Sequence, residues 1–447
     1  MIRQMEINSE EEWLVAQRAV EVQREVSRAA RTAEPGRGLM ETEAMVHEQG
    51  EKFLRMILEN AIRQQVGTKK KTKGDSSVSC ACGGRAGYRR CIPKYLLSSV
   101  GTITVERRYY GCRHCGQKQV PWDAWAGVDH RQVTPYARKL VVLVASMCSF
   151  DRSAEKLKQL CRMQINNDTI RRIADEEGQR VQCWLANAAE AVAPLRDGKG
   201  EWEFYTDGTT VNTVAGWRDL RLTILCRREA GEAASPEEWK DRVLPKATAR
   251  WAFGQVVDAE ALGAFWGRLM RRVKKEDGHH LSVLADGAKY IWQQAALNIS
   301  SQAQWVLDIF HVSEHVHDCA KEIWGEGTAA RDWADKQVLY VIRHGGVSWV
   351  KHLRAQGEKF SDEQRLPLDK LLGYLESHQD DLWYRDRLKQ GLVIGSGTVE
   401  GACKNMVGTR LKINSCRWRV ERAEHMTALR CLDYAGLVED YWAQRAA

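Results

Sequence analysis

Three acidic residues, each beside glycine at the end of an apolar run, have the types and spacing for phosphoryl chemistry: Asp207 in YTDGT, Asp286 in LADGA and Glu400 in GTVEG. Carboxylates gathered at one point repel each other and lose hydration, so a convergent trio requires divalent cations to offset its charge. Two Mg2+ or Mn2+ ions held there can activate an attacking oxygen and stabilise a leaving one during in-line displacement at phosphorus. A single Asp-Gly is ordinarily a turn; the argument rests on three acids in matching topological slots. Asp286 follows Asp207 by 79 residues, room for two strands, a helix and a fourth strand. Glu400 follows Asp286 by 114 residues, too many for one helix, which implies an all-helical insertion before the last acid.

A second constellation is made of thiols. Cys80-x-Cys82-Gly-Gly and Cys112-x-x-Cys115-Gly are knuckles separated by 29 residues, with strand-like sequence between them. Four thiolates at that spacing can close a tetrahedral shell around structural Zn2+, as in a zinc ribbon. The first knuckle is one residue shorter than usual, and Cys91 or His114 can replace a ligand; buried free cysteines are the alternative. A third cluster, Asp308-Ile-Phe-His311-Val-Ser-Glu-His315, follows an apolar run and sets two histidines four residues apart on one helix face. Asp308 and His311 read as auxiliary groups that contact substrate or orient the acids, against a purely structural network.

The elements that must position these groups follow from pattern. Residues 204–207, 220–226, 251–257, 281–286 and 305–309 are short apolar runs, and residues 260–275 between the third and fourth are helical. The order β-β-β-α-β-α-β is that of a ribonuclease-H-like core. Residues 312–390 have helical periodicity, and a final helix starts near Gly397. Upstream, an amphipathic helix covers residues 41–66, and TITVERRYY at 102–110 is strand-like. Residues 153–161 and 167–173 are helices joined at 162–166, compatible with a helix-turn-helix capped by Asn166, Asn167 or Asp168.

Charge points to a polyanionic partner. The 447 residues carry a net +8, yet residues 61–140 hold 16 Lys/Arg against 4 Asp/Glu. Such a segment suits DNA, whose counterions are released as phosphates are neutralised. Lys69, Lys70 and Lys71 lie in a Gly/Ser-ended linker there, and Arg89, Arg90, Arg107 and Arg108 in the strand-like part. Lys404, Arg410, Lys412, Arg417, Arg419 and Trp418 follow Glu400 and suit a second DNA track of phosphate contacts and base stacking. The alternative in each case is a solvated charged face. A 44% hydrophobic and 28% charged composition is ordinary for a soluble chain, and the longest apolar run, residues 140–147, is too short to span a bilayer. A polar, acidic start without a leader pattern and thirteen sparse cysteines lead us to expect a reduced, cytoplasmic setting.

The segments CACGG, RRYYGCRHCG, YTDGTTV, LADGAKYIW, LDIFHVSEH and VIGSGTVEGACKNMVGTRLK together resemble bacterial insertion-sequence transposases of the ISKra type, over about residues 78–431. The resemblance implies a DDE-superfamily enzyme related to Mutator-like transposases, with Asp207, Asp286 and Glu400 as its metal-binding triad. It also makes Asp308, within an Asp-x-x-His stretch, an alternative for the second acid. Residues 412–418, KINSCRW, depart from that family by lacking a glycine before the tryptophan.

The chain is therefore expected to be multidomain α/β: a helical region (1–66), a basic zinc-ribbon-like DNA-binding domain (67–130), a helical region (131–198), a ribonuclease-H-like core (199–311 and 391–431), an all-α insertion (312–390) and a tail (432–447). The expected function is metal-dependent cleavage and strand transfer of an insertion sequence, acting on double-stranded DNA as at least a dimer. The alternatives are a zinc-containing DNA-binding regulator or inactive relic, and a nuclease that cleaves without joining.

Overall fold

The computed structural model describes residues 7, 9–34, 36–66, 77–276, 280–413 and 416–446. The chain is mixed α/β with two sheets, and it divides into two compact units at residues 173 and 174. The expected helical region 131–198 thus falls partly in each unit.

The first unit begins with α1 (Glu10–Thr32) and α2 (Gly38–Val66), the latter longer than its sequence pattern indicated. A four-stranded antiparallel sheet follows, in the order β1 (Ser77–Ser79), β2 (Arg85–Ser98), β3 (Gly101–Cys112), β4 (Lys118–Gln119). β2 and β3 form one long hairpin because β3 alternates buried and exposed positions along most of its length. Its inner residues Leu96, Ile103 and Val105 pack with Val66 of α2 and with Val128. After α3 (Pro121–Trp125) come α4 (Pro135–Met147) and α5 (Phe150–Cys161), whose Ser149 cap accepts from the Arg152 N–H. Arg162, left-handed at φ 51°, turns the chain toward α6 (Asn167–Asn187), where the Asn166 side chain caps the Thr169 N–H. Leu157, Met163 and Ile170, on and between these helices, are fully buried.

The second unit holds the end of α6, α7 (Ala193–Asp197), and a five-stranded sheet of β5 (Glu201–Thr213), β6 (Gly216–Arg228), β7 (Ala249–Gln255), β8 (Leu281–Ala285) and β9 (Gln304–Leu307). The spatial order is β7-β6-β5-β8-β9, with β5, β6 and β7 antiparallel and β5, β8 and β9 parallel. β5 and β6 extend well past their apolar runs, since their outer residues pair in a tight hairpin turning at residues 214–215. α8 (Ala259–Val273), capped by Asp258, covers one face: Phe265 stacks on Phe253 at 4.8 Å, and Trp266 meets Phe204 edge-on while donating to Thr223. The other face carries α17 (Val420–Tyr434), which approaches so closely that a β-carbon on Gly254 would lie 2.4 Å from Thr427. α9 (Lys289–Asn298) links β8 to β9.

Beyond β9 the expected all-α stretch is present as α10 (Ile309–Trp324), α11 (Thr328–His344), α12 (Gly346–Gly357), α13 (Asp362–Glu376) and α14 (Tyr384–Lys389). Then α15 (Gly397–Ala402) runs into a π-helical turn at Cys403–Gly408 and the short α16 (Thr409–Leu411); α18 (Val438–Ala446) follows α17. Among the described residues no helix is long and apolar enough to cross a membrane.

Candidate active site and metal centre

Parallel pairing sets Tyr205 opposite Leu284 and Ala285 opposite Leu307. Asp207 and Asp286 each follow by two residues the paired positions of β5 and β8, and Asp286 and Asp308 each follow Ala285 and Leu307 by one. Asp286 and Asp308 thus follow the ends of β8 and β9, and Asp207 lies within β5, still paired with Leu222 of β6, just past the end of its parallel pairing; the three acids stand at one end of the parallel half of the sheet, where strands lie about 4.8 Å apart.

Asp207 sits in a shielded position. Burial pushes its carboxyl above the usual range; the Gly208 N–H opposes that shift, and Asp286 adds to it. Its Oδ1 accepts from Gly208 N–H at 2.7 Å, and the Cys403 thiol donates to Oδ2 at 3.6 Å. Asp286 Oδ1 accepts from the Ala288 N–H at 3.1 Å, while Trp292 Nε1 donates to the Asp286 carbonyl at 2.6 Å and fixes the turn. Gly287 is required there: a β-carbon would lie 2.2 Å from the Tyr374 ring of α13. Tyr374 also contacts the His315 ring at 4.3 Å, and His315 meets His311 at 4.9 Å. Burial, and then His311, lowers the pKa of His315.

Asp308 does something different from its neighbours. Its buried carboxylate accepts from the Phe310 N–H and the Ser396 N–H, both at 3.0 Å, and from the Ser396 hydroxyl. It therefore caps α10 and ties down residue 396, just before α15. The same strap is held by Ile309 N–H donating to Ile394 and by Arg387, which spans Val393, Gln304 and Ser282. Arg228, paired with buried Glu203 at 3.0 Å, reaches Thr398 Oγ1 at 3.5 Å. These ties deliver Glu400 on α15 and Cys403 one turn later, with Cys403 against Asp207.

Glu400 itself is exposed and paired with Lys404. Nearby, His311 pairs with Glu314 at 3.3 Å. Among the described residues, the three carboxylates do not form a cluster with ligand atoms all within 4.8 Å of one another. Asp286 stands close enough to Asp207 to add to the rise that burial gives its carboxyl, while the Gly208 N–H and the Cys403 thiol oppose it.

The four predicted cysteines do meet. Cys80, Cys82, Cys112 and Cys115 form the one group of three or more potential ligands, among the described residues, whose ligand atoms all lie within 4.8 Å. The sulfurs of Cys80 and Cys115 are 3.5 Å apart and those of Cys82 and Cys112 are 3.7 Å apart. A tetrahedral zinc ion with bonds of about 2.3 Å separates its sulfurs by roughly 3.8 Å. Each knuckle is closed by its backbone, with Gly83 N–H donating to Cys80 and Gly116 N–H to Cys112, and both glycines at positive φ. The Cys115 N–H lowers the Cys112 thiol to about 6. At Cys115 the Gln117 N–H acts in the same sense, but the sulfurs of Cys82 and Cys80 outweigh it and push the thiol up to about 12. One thiolate thus suppresses the next, a cost that a cation removes. The cluster can bind a metal such as zinc. Cys91 stands apart, against the Tyr88 hydroxyl at 3.6 Å, and His114 contributes no ligand atom to the group.

The predicted DNA-contacting residues divide by exposure. Arg89, Arg90 and Arg417 are exposed, Arg108 is half-buried, and Lys412 is exposed while donating to Thr209 at 2.6 Å. Three expectations need correction. Arg107 is buried in an ion pair with Asp123, which Lys94 joins at 3.2 Å, because β3 turns that position inward. Arg410 is buried with its guanidinium 5.1 Å over the Trp418 ring. Trp418 is itself buried, donating Nε1 to Leu411, as its backbone pairs with Asn212 and Val214. Lys69, Lys70 and Lys71 lie outside the described residues, as does part of the 412–418 turn.

Two site residues escaped the sequence reading. Cys403 is three residues after Glu400, so helical spacing was a usable signal. Tyr374 lies far along the chain in α13, and no local pattern marks it. No protein-family model and no curated protein matches this chain.

Proposed function

We propose that this chain is a DDE transposase with a ribonuclease-H-like core, acting by metal-dependent DNA strand cleavage and strand transfer on an insertion sequence of the ISKra type, with Mutator-like relatives. The observation that carries the reading is the strand order β7-β6-β5-β8-β9, antiparallel then parallel, with Asp207 and Asp286 at matching positions two residues past the parallel pairing of β5 with β8. That is the sheet order of ribonuclease-H-like cores. The helix bearing Glu400 returns to the same edge through the Cys403–Asp207 contact.

In this reading Asp207, Asp286 and Glu400 would hold Mg2+ or Mn2+, two per site, which supply Lewis-acid stabilisation of charge on the reacting phosphate. Asp308 acts as a positioning residue for the Glu400 strap rather than as a second acid of the triad. His311, half-exposed beside Asp207, is placed to contact a phosphate oxygen. Lys404 neutralises Glu400 and would be displaced from it when a cation is bound. Exposed Arg89, Arg90 and Arg417 are suited to phosphates of double-stranded DNA, and the sulfur cluster to structural Zn2+ that keeps the β2–β3 hairpin folded. Pairing two element ends requires at least a dimer, working on the nucleoid in a bacterial cytoplasm.

The test is strand transfer by the purified protein on labelled duplexes carrying the element's ends, with Mg2+ or Mn2+, beside Glu400→Gln. Joined product from the wild type alone supports the proposal. Cleavage without joining identifies a nuclease, and binding without either identifies a zinc-containing DNA-binding protein.

A further inference from the structure

Arg221 of β6 stands at the acidic end of the sheet. It pairs opposite Gly208, the residue after Asp207, and its guanidinium carbon lies 4.2 Å from the centre of the Tyr290 ring in the first turn of α9. Tyr290 is itself close to the acids. Burial raises the pKa of its hydroxyl, Arg221 opposes that rise, and Asp286 and Asp207 add to it. One aromatic ring therefore holds a cation within electrostatic reach of two of the three carboxylates.

Other cations around these acids are engaged by the protein itself. Arg228 pairs with Glu203 at 3.0 Å, Lys404 pairs with Glu400, and Lys412 donates to Thr209 at 2.6 Å. Arg221 is different. Its Nη1 is buried without a hydrogen-bond partner, and among the described residues its guanidinium meets no acceptor. Asp219, two residues away and so on the same face of the strand, is exposed and forms no ion pair with it. A half-buried guanidinium without a counter-charge costs free energy that an anion can offset. Stacking on the tyrosine keeps the group flat and leaves the N–H donors around its rim free, in the fork that matches two oxygens of a phosphate. The approach is open, since Gly208 has no side chain and both Gly208 and Thr210 are exposed.

We propose that Arg221, stacked on Tyr290, holds a backbone phosphate of DNA beside Asp207 and Asp286. The proposal rests on the reading of these acids as a phosphodiester site and adds the protein's own cation for the substrate, which the acids alone would repel. Tyr290 is a positioning residue through its ring. A free phosphate ion offers the same oxygens, and the test separates it from a DNA backbone.

The experiment is fluorescence anisotropy of the full-length protein on labelled duplexes carrying the element's end, with Ca2+ in place of Mg2+ so that binding is read apart from cleavage. Each duplex of a set carries a single uncharged methylphosphonate linkage, stepped along the strand. Wild type is expected to lose about tenfold in affinity at one or two linkages. Arg221→Gln is expected to lose about tenfold on the unmodified duplex, with a shallower salt dependence, and nothing further at those linkages. Tyr290→Phe is expected to bind as wild type and Tyr290→Leu as Arg221→Gln, with unchanged melting temperatures as the control for folding. Additive losses from variant and linkage at every position overturn the proposal, as does a wild type that binds no DNA. Competition by inorganic phosphate that disappears in Arg221→Gln, without any linkage effect, overturns it in favour of a free phosphate ion. Binding that obeys these rules from protein that neither cleaves nor joins with Mg2+ upholds Arg221 and removes the proposed function instead. Cleavage and joining by Arg221→Gln at the wild-type level and affinity keeps the proposed function and overturns the role of Arg221.

Discussion

Asp207 is held where its negative charge is poorly solvated, and burial followed by Asp286 raises its pKa. The protonated form therefore favours the fold: that contribution is present below the ordinary carboxylate range and is lost as pH rises through the raised value. Asp207→Asn, which keeps the neutral shape, is expected to raise the melting temperature of metal-free protein at neutral pH, with the gain vanishing in acid. Mg2+ should stabilise the wild type and not the variant. Equal melting curves for the two, with and without Mg2+, would remove Asp207 from any cation site. The sulfur cluster makes a separate prediction. Protein prepared without chelator should carry one zinc per chain, and Cys82→Ser should lower that content and open the β2–β3 region to protease. A structural zinc is worth on the order of 10 kcal/mol in small domains, so its loss should be plain. These four cysteines were legible because knuckle spacing is local. Arg107 was misread because a basic residue on a strand has two possible faces, and its ion pair with Asp123 depends on a partner 16 residues away.

At the scale of elements, the strap at residues 391–396 decides where Glu400 stands. Asp308→Ala strips three donors of their buried acceptor and is expected to cost about 3 kcal/mol, measured by denaturant unfolding. Asp308→Asn should retain Mg2+-dependent stabilisation, because Asp308 positions the strap; loss of that stabilisation would instead make Asp308 a cation ligand. The turn after β8 provides a second test. Gly287→Ala is expected to destabilise by about 2 kcal/mol through its clash with Tyr374, and to be nearly neutral in a Tyr374→Ala background. Additive costs would mean that α13 does not press on the turn. The helix containing Glu400 was legible from its start at Gly397, but the π-helical turn at Cys403–Gly408 was not. A π-helical turn is not written in helix propensity; this one begins at Cys403, the residue whose thiol meets Asp207.

For the molecule as a whole, period and order went far. The apolar runs predicted five strands in the order that is present, the helical stretch after β9 and a mixed α/β chain, because period-two and period-3.6 patterns are written into neighbouring residues. They understated β5 and β6, whose outer halves are mostly polar and are held by pairing with each other, with Val211, Thr213 and Leu220 buried among them. The two-unit division was not marked, since the cut falls inside α6, where helical periodicity runs on unbroken. Acid types and spacing were likewise set by the sequence alone, as were the candidate ligands of the sulfur cluster. Which acid faces which group was decided by tertiary structure. Parallel pairing aligns Asp207, Asp286 and Asp308, and capping turns Asp308 toward Ser396; burial then withdraws Arg107, Arg410 and Trp418 from the surface. Those outcomes depend on contacts between residues distant in the chain, and the free energy of such contacts is absent from any local pattern.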